Sequence, residues 1–328
     1  MDSIKIDDVE IFLSQPTSIE MEWIGQEMLL TQLMAAWAVI HEDDIPLCPR
    51  ILGPPGAGKT TLAYAAAKRI NKDVYIFQCT ADTRPEDLII TPVISSNQQI
   101  KYHASPLVTA MVRGAICILD EGNRMPEKAW ASLAPLLDKR RYAESIIAGV
   151  KIKAHPDFRI CATMNQDASV FDIPDYIGSR LAPKIHVTWP ERKEEIAVIK
   201  YNLPFAPNEI IEYVVDFLQK GHQNEEPYSI RDGINITRYM LKLSTHEQYP
   251  LSEEDMKEYF KSATSKVLDD EALDYLEGDV KKRKKKFLFM DGFGPIDLPM
   301  GTRLRWDDDG DDDDLDLDDI DDEEFDDD

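Results

Sequence analysis

The sequence lacks any apolar run long enough to cross a bilayer. The longest, Met28 to Ile40, is interrupted by Thr31 and Gln32, whereas a transmembrane helix needs about 20 apolar residues. The amino terminus also lacks the basic start and apolar stretch of a secretory signal. We therefore expect no membrane span and a cytoplasmic protein.

Cysteine is scarce, and its four residues form no CxxC pair. They are Cys48, Cys79, Cys117 and Cys161, each in or beside a segment with the pattern of a strand. This spacing argues against a zinc site or a disulfide framework. We expect buried hydrophobic residues with reduced thiols, which fit a cytosolic location, and keep a metal or disulfide role as the alternative.

Basic residues are outnumbered, with 37 Lys and Arg against 62 Asp and Glu. Residues 307–328 contain 17 acids among 22 positions, so only about −8 of the formal charge of −25 belongs to the rest. We expect this tail to be disordered because it has few apolar residues to bury. Its role is either to solubilise the chain or to attract basic protein surfaces.

A basic cluster, Lys281 to Lys286, lies in a linker that we place at 276–306. Six consecutive basic residues are typical of a nuclear-type signal or a phosphate-binding patch. Loose pairing with the acidic tail is a third interpretation, and all three stay open.

Short apolar runs alternate with helical stretches between Leu47 and Arg231, a pattern typical of a parallel sheet wrapped by helices. The run Ala115 to Leu119 is apolar on both faces, as in a central strand that helices cover on both sides. We predict an α/β fold with a five-stranded parallel sheet sandwiched by helices. The strands are predicted at Pro49–Leu52, Val74–Cys79, Ala115–Leu119, Phe158–Thr163 and Lys184–Val187.

From Glu191 onward the pattern is all-helical, so we predict a small helical domain that begins after Pro190. One further helix, Gln26 to Ile40, precedes the sheet, and residues 1–20 are expected to be a short lead-in. The helices of the second domain are predicted at Glu191–Tyr201, Asn208–Gln219, Ile230–Leu243 and Ser252–Leu268.

The clearest motif matches GxxxxGK[ST] and lies between a predicted strand and an alanine-rich helix, Thr61 to Ile70. Glycines let the backbone curl so that several N–H groups and a helix amino terminus face phosphate oxygens. Lys59 can reach the β and γ phosphates, and the Thr60 hydroxyl can bind magnesium. A glycine-rich turn without a ligand is the alternative. The predicted nucleotide-binding residues are Gly53, Pro54, Pro55, Gly56, Ala57, Gly58, Lys59, Thr60 and Thr61.

Two acids, Asp120 and Glu121, follow the buried strand that ends at Leu119. The carboxyl ends of parallel strands meet at one edge of a sheet, beside which the phosphate loop is expected to open. Asp120 is predicted to hold magnesium, and Glu121 to orient and deprotonate the attacking water. The alternative is that the two acids cap the next helix.

The order of these motifs resembles that of AAA+ ATPases, and within them the MoxR-type branch, which is related in layout to dynein-like and magnesium-chelatase-like modules. The segment Asp120 to Arg124 is similar to the Asp-Glu-Ile-Asn-Arg of that branch, with Gly122 as a departure. The resemblance covers Glu22 to Leu243. It implies a P-loop fold at 21–190, a helical lid at 191–275, and ATP with Mg²⁺ as ligands.

The same resemblance assigns roles to three more residues. Asn165 matches the polar sensor of the hydrolytic water, Arg180 the arginine finger, and Arg231 the second sensor on the lid, although Ile230 replaces the usual proline. A finger acts on the nucleotide of a neighbouring subunit, so a homo-oligomer, a hexameric ring, is implied. The alternatives are a turn residue, a surface salt bridge and an ordinary helix-start arginine.

Three further segments gain an interpretation from the resemblance. Gly25 and Gln26 match the segment near the adenine, although the sequence does not firmly separate ATP from GTP. Insertions at Ile90–Ser105 and Lys139–Pro156 match hairpins that face the ring pore or a partner. Two plain surface hairpins are an equally open interpretation.

We predict an ATP-hydrolysing ring ATPase with a chaperone role, which remodels or activates a protein partner. In the MoxR-type branch that partner is often a protein with a von Willebrand factor A domain. A nucleic-acid motor of restriction-system type is the first alternative, and the acidic charge of the chain opposes it. The second alternative is a nucleotide-gated assembly module that does not hydrolyse ATP, although such a module needs neither Glu121, Asn165 nor Arg180.

Overall fold

A computed structural model of the chain describes residues 2–20, 22–94, 98–165, 173–245, 249 and 251–275. The predictions for the linker at 276–306, its basic cluster and the tail at 307–328 lie outside these residues. The strands are β1 (Ser3–Ile6), β2 (Val9–Phe12), β3 (Arg50–Gly53), β4 (Val74–Gln78), β5 (Ile90–Ile94), β6 (Ile100–Ala104), β7 (Ile116–Asp120), β8 (Tyr142–Ser145), β9 (Val150–Lys153), β10 (Arg159–Asn165) and β11 (Lys184–His186).

Ten α-helices are found among the described residues. They are α1 (Glu27–Trp37), α2 (Lys59–Arg69), α3 (Pro85–Leu88), α4 (Pro106–Arg113), α5 (Glu127–Leu133), α6 (Asp175–Gly178), α7 (Arg192–Asn202), α8 (Asn208–Gln223), α9 (Ile230–Leu243) and α10 (Glu253–Val267). Two short 3-10 helices occupy Gly122–Arg124 and Asp270–Tyr275. None of the helices in the described part of the chain combines the length and the apolar character of a membrane span.

The central sheet has five parallel strands in the order β11-β3-β10-β7-β4, which confirms the predicted fold class. In β7 the residues from Ile116 to Leu119 are fully buried, because helices cover both faces of the sheet. The register pairs Asn165 with Gly53 and Gln78 with Asp120. The carboxyl ends of four strands therefore meet at one edge, where the functional side chains lie.

The expectation that residues 1–20 are a mere lead-in is wrong, since β1 and β2 join a second sheet of four strands in the order β1-β2-β6-β5. β2 pairs in parallel with β6, and Ile11 is fully buried in the core. The two strands also pair with each other across a turn at Asp7 and Asp8, and each has only four residues, which gives a weak periodic signal in the sequence.

Both insertions form antiparallel hairpins, as predicted. β5 pairs with β6, and this hairpin separates the short helices α3 and α4. β8 pairs with β9 between α5 and β10. Whether either hairpin faces a pore or a partner stays a prediction.

The helices from α7 to α10 share one hydrophobic core, in agreement with the all-helical pattern after Pro190. Ile210, Val214 and Leu218 are fully buried on α8, and Phe260 contacts that helix from α10 through Phe217. Their spacing of three to four residues is what places them on a single helix face.

The four cysteines are free and buried, which confirms their prediction as small core residues. Burial raises the pKa of the Cys48 thiol to about 11 and also raises those of Cys79, Cys117 and Cys161. A thiol whose pKa is raised in this way is protonated and unreactive at neutral pH.

Candidate active site

The glycine-rich loop connects β3 to α2, and α2 begins at Lys59 rather than at the predicted Thr61. Gly56 and Gly58 have φ values of 77° and 84°, a left-handed conformation that side chains disfavour. A Cβ on Gly56 would lie 2.5 Å from Cβ of Ser229. The loop thus requires glycine both for its backbone and for its contact with the segment before α9.

Lys59 is 7% exposed, and its side chain lies along the loop. Its Nζ donates hydrogen bonds to the carbonyl oxygens of Gly53 at 3.0 Å and Pro54 at 2.7 Å. The first turn of α2 therefore presents an ammonium group and the Thr60 hydroxyl on the same side of the loop.

Asp120 joins the loop to the neighbouring strands. Its Oδ1 accepts hydrogen bonds from the hydroxyls of Thr60 and Thr163, each at 2.6 Å. The predicted pair of magnesium ligands, Thr60 and Asp120, is thus brought into direct contact. Thr163 was missed by the sequence reasoning, although strand alternation places it on the same face of β10 as Asn165.

Glu121 has a φ of 55°, a left-handed conformation that is uncommon outside glycine and that occurs at some active sites. Its backbone N–H donates to Thr163 Oγ1 at 3.0 Å. Its Oε1 accepts from Asn165 Nδ2 at 3.3 Å, and its Oε2 accepts from Gln78 Nε2 at 3.1 Å. Arg124 forms an ion pair with the same carboxylate, with Nε 3.1 Å from Oε2.

The structure therefore brings Glu121 of the acidic motif together with Asn165, the last residue of β10. Gln78 was not predicted, although it ends a neighbouring strand and so lies at the same sheet edge. Arg124 belongs to the acidic motif, but the sequence alone indicates no role for it. Both hold the Glu121 carboxylate in place.

A cavity of about 350 Å³ opens beside the loop. Arg231 lies at this cavity, as does Gln26 from the segment predicted to pack near the base. Other residues that line it are Trp23, Gly58, Thr61 and Tyr201. The loop, the amino-terminal segment and the helical part thus share one pocket.

Comparison with known proteins agrees with this geometry. Residues 50–181 match the family model described as AAA domain, dynein-related subfamily. That match covers less than half of the chain. An uncharacterized protein of Staphylococcus haemolyticus is 28% identical over 197 residues, which are 56% of this chain and 74% of that protein.

Solved structures show the same P-loop fold of the AAA type. A point mutant of RuvB from Thermotoga maritima aligns with a TM-score of 0.52 at 18% identity, over 76% of this chain and 72% of that one. NtrX from Brucella abortus, in complex with ADP, aligns with a TM-score of 0.50 at 15% identity, over 78% and 67%. The fold that the resemblance implies is confirmed, and residues 50–181 are similar to an AAA domain. The assignment to the MoxR-type branch stays a prediction.

Arg180 contacts a different set of groups from those that contact Glu121. Its Nη1 donates to the carbonyl oxygen of Tyr176, and its Nε lies 3.5 Å from Asp138 Oδ2. Hydrogen bonds from Arg140 lower the pKa of Asp138 to about 2, with a smaller contribution from Arg180. Asp138 therefore stays ionised at neutral pH and attracts the Arg180 guanidinium.

Proposed function

We propose that the AAA domain binds ATP at the glycine-rich loop and hydrolyses it. The hydrogen bond from Thr60 to Asp120 carries this proposal, because it joins the loop to the acidic motif at the edge of the sheet. Loop amides and Lys59 would bind the phosphates, since both supply donors at the amino terminus of α2. The cavity beside the loop is of a size to take the base and ribose.

The residues present fit a magnesium ion. A hydroxyl and a carboxylate are the oxygen ligands that Mg²⁺ prefers, and nucleotide phosphates commonly complete its coordination. Thr60 and Asp120 would hold it, and within the described residues no cluster of His, Cys, Asp and Glu offers another metal site. Such an ion neutralises charge on the phosphates when it is bound.

Glu121 is proposed to accept a proton from the attacking water. Asn165 and Gln78 each donate to one of its oxygens, so the carboxylate has a fixed orientation. The ion pair with Arg124 occupies the same carboxylate and has to loosen before a water molecule can take its place. Arg231 would contact the phosphates from the helical part across the shared pocket.

We further propose that Arg180 acts on the nucleotide of a neighbouring copy, which makes the protein a ring, with six subunits as the expected number. Its bonds to Tyr176 and Asp138 lie apart from the groups that contact Glu121. An arginine supplied in this way contributes about 10³ to 10⁵ in rate in comparable enzymes.

A protein is the proposed target of the ring, in keeping with a MoxR-like chaperone that acts on a von Willebrand factor A domain. Isoleucines are exposed on both hairpins, with Ile146 94%, Ile94 76% and Ile100 61% exposed. Apolar side chains at such positions favour contact with protein over contact with nucleic acid phosphates.

Phosphate release by the wild type and by Glu121→Gln, with ATP binding measured in parallel, tests the activity. We expect both proteins to bind ATP and only the wild type to turn it over. If neither releases phosphate while both bind, the chain is a nucleotide-gated module. Tight, salt-sensitive DNA binding in a filter assay would favour the nucleic-acid motor instead.

A further inference from the structure

A carboxyl group outside the proposed active site is completely buried. Glu195 on α7 has an exposed fraction of 0%. Its Oε2 accepts a hydrogen bond from Gln219 Nε2 at 2.8 Å, whereas its Oε1 has no hydrogen-bond partner among the described residues. An unpaired buried carboxylate is strongly unfavourable, so this oxygen needs a proton or a cation close by.

The imidazole ring of His222, which is itself almost buried, is a candidate for the group that shares a proton with this oxygen. His222 on α8 has a side chain 9% exposed, and its Nδ1 lies 3.7 Å from Glu195 Oε1. Its Nε2 lies 2.7 Å from the carbonyl oxygen of Tyr228, and its ring stacks on Trp189 with centroids 4.6 Å apart. The ring is therefore fixed on three sides.

The bond to Tyr228 determines the tautomer. A carbonyl oxygen only accepts, so Nε2 has to carry the hydrogen. In the neutral ring Nδ1 is then an acceptor, and it faces Glu195 Oε1, a second acceptor. Two acceptors repel each other, so the pair is stable only when it holds one additional proton, on the carboxyl or on the ring.

Burial favours the form of the pair in which both side chains are neutral. It raises the pKa of Glu195 to about 7, against a smaller opposite effect of the Gln219 hydrogen bond. Burial also lowers the pKa of His222, with the Tyr228 bond opposing. The proton thus belongs on the carboxyl group, from which it can be donated to Nδ1.

Several charged residues of the surrounding elements form contacts away from the Glu195–His222 pair. On α7 and α8, Arg192 pairs with Asp216 and Glu212 at exposed positions. Glu194 accepts from the backbone N–H of Gln26, and Asp232 of α9 accepts from Ser229. The Trp189–Pro190 segment contributes only a ring and a carbonyl oxygen, which accepts from Gln219 at 3.2 Å.

The buried pair is connected to the proposed nucleotide site through one hydrogen bond and a short stretch of backbone. Tyr228, whose carbonyl His222 binds, precedes Ser229, whose side chain caps α9 and contacts Gly56 of the loop. Arg231 follows two residues later and lines the cavity. Movement of the Tyr228 carbonyl would therefore move both contacts.

We propose that Glu195 and His222 share one proton and, in that protonated form, position Ser229 and Arg231 against the glycine-rich loop. They are positioning residues, since neither lies at the cavity. When the proton is lost, Glu195 Oε1 and His222 Nδ1 are two acceptors that repel each other. This repulsion displaces His222 from the Tyr228 carbonyl and lowers the affinity for the nucleotide. This inference rests on the proposed function at one point, namely that ATP and ADP bind at the loop.

Glu195→Gln tests the inference, because glutamine is the isostere of the protonated acid and its amide donates to Nδ1 at every pH. Glu212→Gln on α8 is the matched control, since Glu212 is exposed. Affinity for Mg·ADP is measured from pH 6 to pH 9 for both variants and the wild type. Titration of the nucleotide's own phosphate is common to all three and cancels in the comparison.

In the wild type and in Glu212→Gln, affinity is expected to fall as pH rises through about 7, by at most about tenfold per pH unit since one proton is involved. Relative to these, Glu195→Gln should keep its low-pH affinity up to pH 9. Parallel curves for all three proteins would overturn the inference while leaving the nucleotide site intact. Absence of ADP binding in the wild type would instead refute the proposed function.

The thermal unfolding midpoint without nucleotide provides a second measurement. A carboxyl whose pKa is raised on folding stabilises the fold below its ordinary pKa, and this contribution is lost as pH rises through the raised value. The wild type should therefore lose stability, relative to Glu195→Gln, between the ordinary carboxyl pKa of about 4.5 and the raised pKa of about 7. Equal slopes in the two proteins would show that the pair does not share a proton.

Discussion

The contact between the glycine-rich loop and Ser229 makes a quantitative prediction for Gly56→Ala. Gly56 has a φ of 77°, and an added Cβ would lie 2.5 Å from Ser229 Cβ and 2.7 Å from its Oγ. Carbon atoms in contact sit about 3.5 to 4.0 Å apart. The alanine methyl therefore has to push Ser229 or the loop aside by about 1 Å.

Two costs contribute to the expected loss of stability. The left-handed backbone costs an alanine about 1 to 2 kcal/mol, and overpacking typically costs a further ~1 to 3 kcal/mol. Gly149→Ala is the control for the first cost alone, since Gly149 has a φ of 64° and no atom within 4 Å of an added Cβ. The two variants should differ by about 1 to 3 kcal/mol in their free energy of unfolding.

Thermal unfolding of the two variants measures that difference, because 1 kcal/mol shifts the midpoint by about 2 to 4 °C in a domain of this size. We expect Gly56→Ala to melt about 2 to 12 °C below Gly149→Ala and to bind Mg·ADP more weakly. Equal melting and unchanged binding would refute the packing of the loop against Ser229.

Two further predictions concern turnover. Arg180→Ala should bind ATP normally, yet its rate of turnover should fall by about 10³ or more. Mixing Arg180→Ala subunits with Lys59→Ala subunits should restore activity, because each variant supplies the group that the other lacks. A mixture as inactive as its components would contradict an arginine finger that acts between subunits. Thr163→Val removes one donor to Asp120 and the acceptor for the Glu121 N–H, so kcat should fall by about 10 to 100-fold. That loss is measured as steady-state phosphate release, and an unchanged kcat would exclude a role for Thr163.

The sequence predicted the central sheet and the main groups of the site because both follow from local patterns. A buried parallel strand is apolar throughout, and a glycine-rich loop at its end has a distinctive spacing. The α9 bounds of Ile230 and Leu243 are as predicted, since Ser229 and Asp232 form a capping box that marks its start. Asp120 and Asn165 were expected just after their strands and turn out to be the last residues of them.

The remaining features depend on contacts between distant segments. Nothing in the sequence around Gln78 indicates a functional role. It lies beside Asp120 only because β4 pairs with β7 in that register. β1 and β2 pair with each other, but β2 joins the four-stranded sheet only through its pairing with the distant strand β6. Glu195 and His222 are 27 positions apart and lie on two different helices. The hydrophobic pattern of these helices does not indicate that the two polar side chains meet in the interior.

Two contacts hold the segment from Tyr228 to Arg231, and together they couple the glycine-rich loop to the Glu195–His222 pair. On one side Ser229 contacts the loop at Gly56, and on the other His222 holds the Tyr228 carbonyl. Neither contact alone fixes where Arg231 lies, because a short segment can pivot about a single attachment. With both in place the segment has little freedom left, so a change at the loop and a change in the buried pair act on the same few backbone bonds. Energetic coupling requires such a shared element, which here is the start of α9.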